Sequence, residues 1–517
     1  MESVSASTPW YHSTKLLLVA TILLPPVGLI MLWLRKDTET GKKVFASLAI
    51  VILCASYLFF AYSSGWLRGG SDPDMEAHYS DLERQRAAQK EMTATASEGA
   101  AAPGQQQQAA GASTPASAAE TKPVPAVSRS TRSYWTDFRG PARDGRYDEA
   151  PIRTSWPAQG LPLLWKQPIG GGYASFVIAE GMAFTIEQRR QQEVVAAYDV
   201  ETGRELWTQA SDAEFRESMG GDGPRATPTW EAGRLYSLGA EGDLRCFEAK
   251  TGKLNWSRNI LKDAGADNLQ WGMSGSPLIV DDKVIVLPGG RSGKSVVAYN
   301  KLTGRQVWNS LNDTQAYVSP MLVTLAGRRQ ILVVSSNRIV GLGVEDGALL
   351  WETKWNTDMG INVSQPIPID ANRFFISSGY GKGAALVEIS SSGDGFTANK
   401  VWENTSMKNK FNSSVLYEGN VYGLDEGILT CVDVKTGERR WKGGRYGYGQ
   451  VILGSGHLII ITDSGELVLV KATPDKQIEL ARFPAIEGKT WNYPAIADGR
   501  LLVRNQTQMA CFDVSGK

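Results

Sequence analysis

The chain has 517 residues, of which 42% are apolar, and its 54 basic side chains balance 54 acidic ones, for a formal net charge of zero. That length accommodates one large domain with attachments, and the neutral balance removes the electrostatic basis for a nucleic-acid partner. The three histidines, His12, His78 and His457, are too scattered for a multi-histidine zinc site or a Ser-His-Asp triad.

A short tail, residues 1–15, leads into residues 16–34, LLLVATILLPPVGLIMLWL, which are apolar for long enough to cross a bilayer with Pro25 and Pro26 tolerated as a kink. A second apolar run covers residues 44–62. The loop between them carries Arg35, Lys36, Lys42 and Lys43, which the positive-inside rule assigns to the cytoplasm. The expectation is a two-helix transmembrane anchor over residues 16–62, with everything after Tyr62 facing outward. Residues 63–133 read as a linker. Its first part, 74–92, is charged and suits a short helix, whereas 93–127 collapses to Ala, Gln, Ser, Thr, Pro and Gly. Such a composition buries too little apolar surface to offset ordering entropy and predicts a disordered tether.

From Tyr134 the pattern changes. The unit AYDVETGRELW, ending at Trp207, returns as CFEAKTGKLNW at Trp256, AYNKLTGRQVW at Trp308, GLGVEDGALLW at Trp351 and CVDVKTGERRW at Trp441, with weaker copies at Trp402 and Phe483. Counting from Trp165, the intervals are 42, 49, 52, 43, 51, 39 and 42 residues. Asp199 and Thr202 can brace a tight turn and Gly203 can supply its positive φ. Two β-branched strand candidates precede each turn, as in 276–290 and 450–470, so the repeat is four short strands. A four-stranded repeat at this period is a propeller blade. The expected fold is therefore all-β, an eight-bladed β-propeller over residues 134–517 with four-stranded antiparallel blades. The chain ends in ACFDVSGK, a turn motif without its last strand, so PLLWKQ around Trp165 is expected to close the ring as an N-terminal strand.

The turn-and-Trp unit resembles the tryptophan-docking repeat of the pyrroloquinoline quinone (PQQ) repeat propellers. The opening W-x-x-F-R-G-P-x-x-D-G from Trp135, with GPRATPT from Gly223 and WGMSGSPL from Trp271, is similar to membrane-associated bacterial PQQ-binding-like propellers. The resemblance covers roughly residues 135–517 and implies the propeller fold; combined with the anchor read from hydropathy, it gives a multi-pass protein of the bacterial inner membrane with its propeller in the periplasm. It spans both the quinoprotein alcohol dehydrogenases and the outer-membrane assembly lipoprotein, a scaffold without cofactor. The dehydrogenases hold calcium through carboxylate and amide ligands, use an Asp base, and cover the quinone with an adjacent-cysteine disulfide. Here Cys54, Cys246, Cys431 and Cys511 are never adjacent, and three of them share one phase of the repeat.

Positions at the start of each blade's first strand are expected to converge on the axis: Tyr173, Arg225, Trp271, Tyr317, Asn362 with Gln365, Asn412 with Lys410, Tyr448 and Trp491. Of these, Arg225, Trp271, Tyr317, Asn362, Gln365, Lys410, Asn412 and Trp491 form the candidate cofactor-binding set, suited by stacking and Arg pairing to a planar anion. Tyr, Asn and Ser also fill a tapering propeller axis with no ligand at all. Asp222 and Glu187 are the acids to test as base or calcium ligand, although both suit structural ion pairs. No catalytic or metal-ligating residue is assigned.

GGRSGKS, residues 289–295, lacks the first glycine and the following helix of a phosphate-binding loop and reads as a hairpin. The basic aromatic run 439–449 reads as a rim loop. The favoured function is a membrane-tethered binding scaffold at the bacterial envelope, with a protein partner on rim loops 211–225, 261–273 and 404–410. The alternative is a PQQ-dependent oxidoreductase, with calcium, acting on an alcohol or sugar.

Overall fold

The computed structural model describes residues 25–35, 38–63, 73–99, 134–393 and 395–516. The tail 1–15, the first part of the apolar run 16–34 and most of the tether 93–127 lie outside the described residues. The chain divides into two compact units, Met1–Ala77 and His78–Lys517.

The first unit holds α1 (Pro25–Leu34) and α2 (Thr40–Ser63), joined by a hydrogen bond from Trp33 Nε1 to Ser47 Oγ at 3.1 Å. These helices correct the expected transmembrane anchor. Among the described residues no helix is both long and apolar enough to cross a membrane. α2 has 24 residues, and its first turn carries Lys42 and Lys43, charges that a hydrocarbon core does not accommodate. The membrane as a partner and the multi-pass inner-membrane localisation are corrected with the anchor.

In the second unit eight antiparallel sheets follow one another along the chain. Seven have four strands. The seventh blade in chain order has a fifth, because Arg146–Tyr147 adds in parallel to Gln450–Gly454. No sheet closes on itself, which corrects the closed architecture expected; the ring is built from separate open sheets packed face to face. In the eighth blade Leu163–Pro168 pairs antiparallel with Gln508–Asp513, Trp165 lying opposite Cys511. Both ends of the propeller's chain therefore share one sheet.

The recurring Trp joins blade to blade. Trp165 Nε1 donates to the Val200 carbonyl at 2.8 Å, Trp207 to Ala249 at 2.9 Å, Trp256 to Lys301 at 3.0 Å and Trp441 to Thr473 at 2.9 Å. Each acceptor lies in the turn of the following blade. Asp199 Oδ1 shapes one such turn by accepting from the Thr202 amide at 3.0 Å and its hydroxyl at 2.9 Å. The glycine that follows rests on the incoming indole, and at Gly252, with φ +73°, a Cβ would lie 2.5 Å from the Trp207 ring. Left-handed backbone and ring contact both exclude a side chain there. Gly252→Ala is expected to cost about 2 kcal/mol, through strain plus overpacking, in urea unfolding. Trp351 departs from the pattern, donating to Gln330 in its own blade.

Residues 134–152 plug one end of the axis. Trp135 bridges to Ile178 of the first blade, and Arg143 donates to the carbonyls of Ser276 at 3.2 Å and Pro320 at 2.9 Å. Arg139 donates to the Ser414 carbonyl at 2.7 Å. With further contacts to Thr229, Gly454 and Ser515, one short segment touches seven of the eight blades, binding backbone carbonyls around the axis.

The charged stretch expected as a short helix is α3 (Pro73–Gly99). From His78 onward it packs on the propeller, with Tyr79, Leu82 and Arg86 buried. His78 Nε2 donates to the Ile169 carbonyl at 2.8 Å, Arg86 donates to the Pro168 carbonyl at 2.8 Å, and Glu83 pairs with Arg190 at 2.8 Å. α3 therefore lies across the closing strand and the first blade.

Candidate functional site

Strand direction alternates within a blade, so the connections from each outermost strand to the next innermost strand share a face with the hairpins between second and third strands. The residues that end those connections surround a cavity of about 250 Å³ on the axis. Its wall is aromatic: Tyr173, Trp271, Tyr317, Tyr380, Phe411 and Trp491, with Phe138 of the plug and Tyr493 deeper in. Ile361, Val363 and Met219 complete the apolar surface, and Ser274, Ser413 and Arg225 supply polar groups. The rings brace one another. Tyr173 stacks on Trp491 at 5.6 Å between centroids, Phe411 meets Trp491 at 5.1 Å, and Trp271 meets Tyr317 edge-on at 5.6 Å.

Three cations lie over these rings. Lys489 Nζ is 4.4 Å from the Trp491 centroid, Lys410 Nζ 5.5 Å from that of Phe411, and the Arg225 guanidinium 5.4 Å from that of Tyr173. Arg225 also donates to the Gly221 carbonyl at 2.6 Å, and Lys489 bonds the Gly220 carbonyl, so both hold the loop 211–225 over the cavity. No carboxylate lines the cavity. Burial lowers the Arg225 pKa and raises that of Tyr317, and it pushes the Tyr380 hydroxyl up to about 12. At neutral pH the hydroxyls are therefore protonated donors in a positive, apolar environment.

Of the eight candidate residues, Arg225, Trp271, Tyr317 and Trp491 line the cavity, and Lys410 reaches over two of its rings. Asn362, Gln365 and Asn412 are buried behind the wall. Asn362 Nδ2 donates to the Ser335 carbonyl at 2.8 Å, Gln365 Nε2 to that of Ser319 at 2.8 Å, and Asn412 Oδ1 accepts from Asn409 at 2.8 Å. The amides of Asn362 and Gln365 tie inner strands of adjacent blades together, whereas Asn412 braces its own loop. Sequence reasoning missed Phe411, Tyr380, Tyr493 and Lys489. Phe411 adjoins Lys410, and Lys489 and Tyr493 each lie two residues from Trp491, so widening each window by two positions recovers three of them. Tyr380 sits in a hairpin, SSGYGKG, that the inner-strand rule does not sample.

Neither acid singled out lines the cavity. Asp222 Oδ1 accepts from the Glu217 amide at 2.9 Å and shapes the loop. Glu187 is fully buried, accepting from Arg189 Nε at 2.6 Å and Tyr198 at 3.2 Å.

The family model for outer membrane protein assembly factor BamB matches residues 190–443. BamB of Bordetella pertussis is 22% identical over 379 residues, 64% of this chain and 92% of that protein. The 1-butanol dehydrogenase (cytochrome c) of Thauera butanivorans is 29% identical over 166 residues, which is 29% of this chain but only 23% of the enzyme. BamB from Moraxella catarrhalis superposes with a TM-score of 0.50 at 15% identity, covering 68% of this chain and 99% of that one. The chain is an eight-bladed propeller related to the BamB-like and quinoprotein alcohol dehydrogenase-like folds. The quinohemoprotein alcohol dehydrogenase of Comamonas testosteroni, with a TM-score of 0.52 at 13% identity, covers 76% of this chain and 82% of its own. At such identities the structural likeness is one of fold.

The residues present can be tested against PQQ with calcium. Stacked rings and cations suit a planar anion, but calcium needs several oxygen ligands at one point. Among the described residues no group of three His, Cys, Asp or Glu is placed to hold a metal, and the four cysteines are free. The donor set does not fit the calcium-quinone pair, and no oxidation step follows from this cavity. Purified protein supplied with PQQ and calcium is expected to give no alcohol-dependent reduction of a dye acceptor. Turnover that depends on both additions contradicts this.

Proposed function

We propose that this propeller is a protein-interaction scaffold at the bacterial envelope, presenting the cavity face and its rim loops to a partner. The observation that carries the reading is the composition of that face: Trp, Tyr and Arg converge on it, the residue types that dominate protein-binding hot spots. Met219 and Met359, in two connections of the same face, are 64% and 66% exposed, adaptable apolar contacts beside the aromatic centre. The match along 92% of the Bordetella BamB supports the same reading.

Site-specific photocrosslinking in living bacteria tests it. A crosslinker at Met219 or Met359 is expected to yield a discrete protein adduct. One at Leu302, an exposed turn residue on the opposite face, is expected to yield none. Equal labelling from all three positions, or from Leu302 alone, would remove the rim loops from this role.

A further inference from the structure

The rim loops surround a cavity that an ordinary flat interface does not need. We infer that the axial cavity is itself a socket for one side chain of the partner: it accepts an aromatic or large aliphatic residue flanked by Asp or Glu, carried on an exposed segment of another protein. This inference rests on the scaffold reading and names what the partner must present.

Three features decide the chemistry. First, the wall consists of ring faces and edges with Ile361, Val363 and Met219 between them, so the occupant must be chiefly apolar. An open cavity of about 250 Å³ admits a Phe, Trp or Leu side chain with part of its backbone, and it is too small for a folded element. Second, the lining carries cationic cover and no acid of its own. Lys410, Lys489 and Arg225 all lie over lining rings, while the lining contains no carboxylate; the nearest acids, Glu217 and Asp222, belong to the roof loop, where their oxygens accept from loop amides. A cationic segment would meet three like charges, whereas an acidic one gains pairs in a partly desolvated site. Third, two of those cations are not rigidly committed. Lys489 is exposed and hydrogen-bonds a loop carbonyl, and among the described residues no carboxylate forms an ion pair with Lys410. An ammonium can move from a ring face or a carbonyl to an arriving carboxylate without leaving a buried group stranded. The failure of the calcium-quinone pair to fit belongs to the same argument. Acid ligands that would capture a metal would also cancel the positive mouth, and the cavity has none.

The loop 211–225 supplies the means of entry. Gly220 and Met219 roof the cavity, and the loop is pinned from below by Tyr173, Arg225 and Lys489, each bonding a loop carbonyl of Gly220 or Gly221. An acidic side chain that draws Lys489 away releases one of these pins at the point where the roof must lift.

The test is a display selection of random heptapeptides against the intact protein, repeated on Lys410→Gln/Lys489→Gln and on Trp491→Ala. Both variants are checked for unchanged cooperative unfolding, and the lysine pair keeps the test valid should Trp491→Ala fail to fold. Wild type is expected to enrich peptides with Asp or Glu next to Phe, Trp, Tyr or Leu. A selected peptide, labelled and titrated by fluorescence polarisation, is expected to bind the lysine double variant about tenfold more weakly or worse and to lose affinity as salt rises. Trp491→Ala is expected to weaken it by about thirtyfold, as for a central aromatic of a hot spot. If enriched peptides bind the variants as well as wild type, the socket is refuted and the rim-loop scaffold stands. If no peptide class is enriched and the Met219 and Met359 crosslinks are also absent, both readings fail. Enrichment of basic peptides overturns the acidic-peptide assignment, and saturable quenching of tryptophan fluorescence by benzene-1,3,5-tricarboxylate with no enriched peptide overturns it in favour of a small anion.

Discussion

Removing residues 508–517 is expected to abolish folding of the propeller rather than merely to lower its stability. The deleted segment is the central partner of a three-way arrangement, pairing with Arg500–Arg504 on one side and with Leu163–Pro168 on the other. Without it Leu163–Pro168 has no sheet to join, and Trp165 loses the backbone that holds its indole against the first blade. Met509, Ala510, Cys511, Phe512 and Val514 are all buried in the same core as Trp165 and Phe483, so the loss is of a packed layer and not of an edge. Each large side chain in such a layer contributes about 2–5 kcal/mol, and the sum exceeds the net stability of an ordinary domain. The expected observation is an insoluble product, or one with no cooperative thermal transition. A milder variant gives a graded readout. Trp165→Ala removes the residue facing Cys511, whose thiol burial holds in the protonated, inert form. Maleimide labelling of Cys511 is expected to become measurable under native conditions in that variant and to remain slow in the parent protein.

Glu187→Gln is expected to cost about 3–5 kcal/mol, because it leaves the buried Arg504 guanidinium without its neighbouring carboxylate and Arg189 with one carboxylate in place of two. Arg504 is fully buried and hydrogen-bonds Thr185 Oγ1 at 2.8 Å and the Gly170 carbonyl at 2.8 Å, neither of which carries charge. Arg189 keeps Glu205 at 2.7 Å, and Glu205 is shared with Arg86 of α3 at 3.6 Å. The effect is pH-dependent in a definite direction. Burial pushes the Glu187 pKa up, Arg189 and Arg504 pull it down, and the balance lies below the ordinary carboxylate value. The wild-type carboxylate therefore contributes stability that is complete above the unfolded pKa, about 4.5, and is lost as pH falls through the folded value. Urea unfolding is expected to show the gap between wild type and Glu187→Gln wide at pH 7 and narrower below pH 4. A gap that widens in acid would show that Glu187 is not held as an anion by these arginines.

The ring was legible in the sequence because one device is repeated with little disguise. An Asx turn, a glycine and an indole each have a single physical task, and Asp199, Gly203 and Trp207 perform the tasks their residue types imply. The seam was legible for the same reason, since Trp165 had a partner position and no blade of its own. The apolar N-terminal runs were less informative. Hydropathy counts residues, whereas a span also needs a helix both long and apolar, and among the described residues no helix is both. At the site, counting forward from each turn located Trp271, Tyr317 and Trp491, which sit where every inner strand begins. It could not separate residues that face the axis from those one step behind it. Asn362, Gln365 and Asn412 fall in the same windows, but the first two spend their amides on carbonyls of the adjacent blade and Asn412 accepts from Asn409 in its own loop. The plug was only partly legible, because the Gly- and Arg-rich opening reads as a loop ahead of the first strand, and whether Arg139 to Asp144 close the channel follows only from their carbonyl partners.

Joining the first and last strands of the propeller in one blade also governs when this protein can finish folding as it is made. In seven blades the four antiparallel strands are contiguous in the chain and can form as each repeat emerges from the ribosome. The eighth cannot be completed until Gln508–Asp513 emerges, so a chain short of that point carries an open strand edge. A nascent chain stalled before that strand emerges is thus the species most exposed to pairing with a neighbour, and the one with most need of a chaperone.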